Sequence, residues 1–313
     1  MRFKEVGEGG RRFVAKAGTS GTEDAVNNEI SYLNILQYAM HVVKPLTIDP
    51  NPLVNLGVPY YITEYLQNGT LKLFVQRTRQ AGERLPNRLL WRLFLCRPPS
   101  KLAHNDFHNE NLMFGELDNS TPEHALVPIL QLIGFGKSGD MDVSPALNAF
   151  QLANYDRQLN LDQYRRPADK RTHGTDKNIY DVGVLMALII RQRDFAIPAD
   201  IRTWIRDPDL LPRVEGISDL DCDLRLLVQR CIAEDPLNRP RLEELLVTVS
   251  DAVVTKTAQA YPNNEGFESD DHIEYLVKKY IIDADVEPPV AGAGGAGGGG
   301  GGGGSGGNPP PPT

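Results

Sequence analysis

Hydrophobic spacing separates a strand-rich front from a helical back. Residues 11–17, RRFVAKA, predict a short strand. From 23 to 40, EDAVNNEISYLNILQYAM places apolar residues at 26, 30, 33, 36 and 40, the spacing of one helical face. VPYYITEYL, 58–66, is β-branched and aromatic and predicts another strand. NRLLWRLFLC, 87–96, predicts a helix that Pro98 and Pro99 stop. NLMFGELD and ALVPILQLIGFG predict a hairpin around a polar loop. NIYDVGVLMALIIRQ, 178–192, is apolar almost all round, which suits a buried helix. DLDCDLRLLVQRCIAED and RLEELLVTVSDAVV predict amphipathic helices. Strands first and helices after give an α+β class.

Beyond these, PNNEGFESDD, 262–271, is polar and turn-rich and reads as the end of the folded body. DHIEYLVKKYII then adds one amphipathic helix. The tail 287–313 is glycine- and proline-rich, has almost no side chain to bury, and is expected to be disordered. A formal net charge of -8 argues against a sequence-independent nucleic-acid binder. The short basic stretch 165–171, interrupted by Pro167 and Asp169, reads as a solvated loop. No apolar run is long enough to predict a membrane span, and MRFKEVGEGGRR lacks the apolar run of a signal peptide. Cys96, Cys222 and Cys231 form no disulfide framework. All three are expected reduced and inside, which fits a cytoplasmic or nuclear protein.

The chemistry concentrates in HNDFHNEN, 104–111. Asp106 and Asn111 are separated as a phosphoryl-transfer loop requires: a carboxylate to receive the hydroxyl proton and an amide oxygen to hold magnesium. Alone, the stretch is also an ordinary polar turn. The LMF strand that follows, and a second strand ending in GFG at 134–136, supply the context such a loop needs.

With these segments in view, the chain resembles a eukaryotic protein kinase domain, of the divergent serine/threonine type common in fungi, over residues 5–255. The resemblance implies a bilobal fold: a reduced strand-rich N-lobe (1–66), a helical C-lobe (67–260), and a linker with a helix (261–286). In FVAK, it gives Lys16 the task of holding the α- and β-phosphates of ATP, with Glu29 as the ion-pair partner that aims it. ITEYL resembles the hinge, with Thr63 as gatekeeper and backbone groups of Glu64 and Leu66 offered to adenine. In YDVG, Asp181 is implied to brace the catalytic loop, and His104 to be structural. EDPLNRP matches the C-terminal signature at Asp235, Pro236, Arg239 and Pro240. Arg239 would ordinarily meet a glutamate, but YRRPAD places Ala168 there, so a shifted Asp169–Arg239 pair is expected. ATP and Mg²⁺ are the implied cofactors, a protein the implied substrate or partner, and a monomer the implied state.

Four departures bear on activity. Gly134 stands where the family carries its principal magnesium-binding aspartate and offers no side-chain oxygen. If that loss is the only defect, Gly134→Asp restores activity. Gly7 precedes Lys16 too closely for a hairpin to cover the phosphates, so the N-lobe is expected to be truncated. The helix before the catalytic loop is short, which should loosen Asp106. Asn105 replaces an arginine and His108 a lysine, removing the usual partner of an activating phosphate. The leading expectation is a kinase-like protein with weak or lost catalysis. Two alternatives stay open: an active serine/threonine kinase using Asp106 and Asn111, and a small-molecule kinase of choline or aminoglycoside type, whose loop HND and FHNENLMF also resemble.

Overall fold

In the computed structural model, residues 2–4, 12–95, 102–140, 173–192, 220–233 and 238–284 are described. The fold class is α+β, with seven α-helices and small antiparallel sheets among these residues. Strands β1 (Arg2–Lys4), β2 (Arg12–Ala17) and β3 (Tyr60–Glu64) form one antiparallel sheet in that order. Alternation in β2 buries Phe13 and Ala15 and leaves Lys16 on the opposite face, across from Tyr61. Phe13 and Ala15 join Leu53 and Ile62 in a small hydrophobic cluster of their own.

The spacing from Gly7 to Lys16 is short, yet β1 pairs with β2 from Arg2–Val14 to Lys4–Arg12. The first arm lies ahead of the glycines rather than after them, so the glycine cluster falls in the connection, outside the described residues.

Helix α1 (Glu23–Ile35) buries Val26, Glu29 and Leu33. It ends five residues before the predicted Met40, because the chain turns to meet a second sheet. Val43 N–H donates to Leu132 O at 3.2 Å, and Leu132 N–H donates to His41 O at 2.9 Å. Those backbone bonds win over further helix. After β3, the hairpin and sequence pattern miss one element: helix α2 (Leu71–Gln80), capped by Thr70, whose hydroxyl accepts from Leu73 N–H at 3.3 Å. The predicted hairpin is present as β5 (Leu112–Phe114) and β6 (Leu130–Leu132). Between α2 and this hairpin lie α3 (Asn87–Phe94) and β4 (Leu102–Ala103), and β4 pairs with β7 (Gly139–Asp140).

The main core gathers α3, the buried helix α4 (His173–Ile190), α5 (Cys222–Cys231), α6 (Leu242–Thr255) and α7 (Asp270–Val277). Helices α4 and α5 touch at Gly183. A Cβ there would lie 2.6 Å from Cys231 Cβ and 2.7 Å from Ile232 Cγ2. Gly183→Ala is therefore expected to lower stability by about 1–3 kcal/mol, read from denaturant midpoints.

The stretch 262–271 does not end the body but is tied into it. Glu268 is 1% exposed, and its carboxylate accepts from Asn87 N–H at 2.9 Å, Asn87 Nδ2 at 2.9 Å and Arg88 N–H at 3.0 Å. It thus satisfies the orphan donors at the start of α3, whose own preceding residue is Pro86 and supplies no cap. Asp221 repeats the device at α5, accepting from Asp223 N–H and Leu224 N–H while also binding Lys256 and Tyr261. Ile273, Leu276, Val277, Tyr280 and Ile281 then join the core.

No helix among the described residues is long and apolar enough to cross a membrane. Cys231 is buried and free, and burial pushes its thiol up to about 12. Cys222 is free but exposed, contrary to expectation, because it opens α5 at the surface. Cys96, the basic stretch 165–171 and the tail 287–313 lie outside the described residues.

Candidate active site

Lys16 Nζ reaches Glu29 Oε2 at 2.7 Å, so the face that alternation turned away from the small core meets α1. Glu29 is buried at 2% exposure although it is a carboxylate. Burial of such a charge requires partners, and Glu29 is bonded to two, Lys16 and the Phe135 N–H, which donates to Oε1 at 3.1 Å. Burial, then the neighbouring Glu29 charge, holds the Tyr61 hydroxyl well above its ordinary range. Lys16 stays half exposed.

Phe135 opens a 3₁₀ turn (Phe135–Lys137) that is clamped from several sides. Asn28 Nδ2 donates to the carbonyls of Phe135, Gly136 and Ser138 at 3.1, 3.2 and 2.9 Å. Gly136 permits this approach, since a Cβ would sit 3.3 Å from Ala25 O. Asn105, at φ 60, donates from Nδ2 to Lys137 O at 3.0 Å. Asparagine tolerates the left-handed region better than the arginine expected there.

Asp106 lies on the other side of this turn. Its Oδ1 accepts from Lys137 Nζ at 2.9 Å and its Oδ2 from Asn111 Nδ2 at 3.3 Å. Asn111 Nδ2 also donates to Asp106 O at 2.8 Å and lies 3.0 Å from His108 Nε2. Burial alone would raise the Asp106 carboxyl, but Lys137, His108 and Asn111 outweigh it and hold the group below the usual carboxylate range.

The start of the loop is anchored by buried contacts to the chain just after β6 and to α4. His104 is fully buried, with Nε2 3.0 Å from Ile133 O and rings of Phe107 and Phe135 edge-on. The brace from α4 is Asn178, not the expected Asp181. Asn178 Oδ1 accepts from His104 N–H at 3.1 Å, and its Nδ2 donates to Leu102 O. Asp181, one turn on, pairs with Lys177, and burial pushes its carboxyl up. Nothing in the sequence singles out Asn178, since Asp176, Lys177 and Asp181 are polar neighbours on the same helix.

Burial pushes His104 down to about 4, so it is neutral in the fold. The unfolded chain gains a proton near pH 6.5 and the native state does not. Stability conferred by neutral His104 is therefore complete above pH 6.5 and lost progressively between 6.5 and about 4, by about 3 kcal/mol. Urea titrations across that window should show this slope, and His104→Gln should flatten it.

Gly134 adopts φ 81, ψ 48, a left-handed conformation. A Cβ would meet Asn111 Oδ1 at 2.9 Å. A side chain at 134 must displace the Asn111 amide and with it the bonds to Asp106, so Gly134→Asp is not a one-residue repair. Asp140 is held by backbone pairing to Leu102, and Asp142 lies outside the described residues. Magnesium does not fit these donors well: position 134 has no side-chain oxygen, and the Asp106 carboxylate already faces an ammonium and an amide nitrogen. Among the described residues no group of three or more His, Cys, Asp or Glu side chains could hold a metal ion.

The remaining expected residues are apart from this cluster. Thr63 is buried on β3. The Glu64 carboxylate accepts from Lys44 N–H at 2.8 Å and from Gln131 Nε2 at 3.3 Å, a structural task. The Leu66 side chain belongs to the core. Arg239 is 2% exposed, with Nε on Ala233 O at 3.0 Å, NH1 on Asp176 O at 3.4 Å and its guanidinium 4.9 Å from the Tyr180 ring. Ala168, Asp169, Asp235 and Pro236 lie outside the described residues. No protein-family model matches the chain, and no curated protein matches it.

Proposed function

We propose that this chain is a bilobal, protein-kinase-like protein of serine/threonine type whose phosphotransfer is weak or lost. The observation that carries the proposal is the bridge from Lys16 through Glu29 to Phe135 N–H. One buried carboxylate thereby links strand, helix and the turn after Gly134. That arrangement ties a half-exposed ammonium to the turn whose Lys137 meets Asp106, which suits phosphate positioning. The small sheet cluster beside the larger helical core supports two lobes.

In this proposal Lys16 holds the phosphates of ATP, and backbone groups of Glu64 and Leu66 take the adenine. Asp106 is the group placed to accept a hydroxyl proton. It is a poor base, because Lys137 stabilises its charged form. With no side-chain oxygen at 134, no step through magnesium follows. The output is then binding to a protein partner rather than turnover. Incubating the full chain with γ-labelled ATP and a mixed serine/threonine substrate protein tests this. Incorporation at or barely above background, abolished by Asp106→Asn, is expected. Robust turnover that survives Asp106→Asn contradicts it.

A further inference from the structure

Charge around the candidate site is balanced without a metal. Glu29 and Asp106 hold the same turn, one at Phe135 and the other at Lys137, and each carboxylate already has a lysine: Lys16 at 2.7 Å and Lys137 at 2.9 Å. Neither ammonium is consumed by this. Lys16 is 50% and Lys137 68% exposed at the side chain, and each spends one of its three donors on its carboxylate. The Lys137 backbone is fixed by Asn105 on its carbonyl and by Asn28 on the carbonyls either side. The turn thus fixes the point from which the Lys137 side chain leaves, and its ammonium meets Asp106 Oδ1 at 2.9 Å. It emerges three residues after Gly134, where the metal ligand is missing.

We infer that Lys137 takes the place of a divalent cation, so that Lys16 and Lys137 together bind the polyphosphate of a nucleoside di- or triphosphate without metal. Lys137 neutralises Asp106, which would otherwise repel the phosphates, and offers its remaining donors to them. Two ammonium groups, Lys137 on the turn and Lys16 on β2 tied to the same turn through Glu29, suit a chain of phosphates better than a single phosphate. Magnesium then competes with Lys137 for the same oxygens instead of assisting. The inference rests on the kinase-like reading of the site and extends it to the form of nucleotide bound.

The test uses the full chain and ATP, first in excess EDTA and then in excess Mg²⁺, with the thermal midpoint followed across an ATP titration. The expected result is a saturable rise in EDTA at least as large as that in Mg²⁺. Lys137→Gln, at an exposed position, should keep the ligand-free midpoint and weaken ATP in EDTA by about 10- to 100-fold. A rise seen only with Mg²⁺ overturns the inference and leaves the kinase-like site standing. A rise in EDTA that Lys137→Gln leaves unchanged removes Lys137 from the account. No rise in either condition overturns both the inference and the nucleotide site on which it rests.

Discussion

Glu268→Ala is expected to lower the unfolding free energy by about 3–5 kcal/mol. The carboxylate is 1% exposed and receives three N–H donors at the start of α3. Alanine would remove this acceptor from all three, and Pro86 offers no side-chain cap in its place. The loss spreads further, because Arg88 also donates to Glu268 O at 2.7 Å and bonds Lys256 O at 3.1 Å. Helix α3 is buried along its whole length and packs on α4 and α6, so unseating it disturbs the main core. Urea midpoints at unchanged slope measure the effect. Glu268→Gln, which keeps one oxygen acceptor, should cost less than alanine. A loss below about 1 kcal/mol for alanine would contradict the cap, since even one orphaned buried donor costs that much.

Glu29→Ala is the second large effect, about 2–4 kcal/mol. The buried Phe135 N–H is left without this acceptor. The other donor, Lys16, is half exposed and can turn to water, so its loss adds little. Glu29→Gln should recover part of the stability while losing the ion pair. That separates packing from charge: both variants should bind ATP more weakly, but only alanine should unfold markedly earlier.

These two carboxylates also show what the sequence made legible. Glu29 was visible because a kinase-like FVAK strand followed by a helix demands an acidic residue near that place. Glu268 was not, because a buried cap looks like any polar turn residue until its distant partner at Asn87 is known. Helix α2 went unread for a related reason: its buried residues Leu71, Phe74, Val75 and Thr78 are spaced as a helix, but Thr78 interrupts the apolar pattern. The hairpin β5–β6 and helices α4 to α6 were read directly from periodicity. The end of α1 was not, since backbone pairing with β6 stops it and no local signal does. At the site, the loop residues were legible as types at fixed spacing. The exchange of Asp181 for Asn178, and the ammonium of Lys137 at Asp106, depend on which way helices and turns face, which spacing alone does not encode.

The most direct measurement is a calorimetric titration of ATP into the full chain and into Lys16→Met. The account predicts saturable binding to the wild type, and binding at least about tenfold weaker in a Lys16→Met protein that melts cooperatively. No heat at millimolar ATP, or identical affinity in the two proteins, would contradict a nucleotide site built on Lys16 and Glu29.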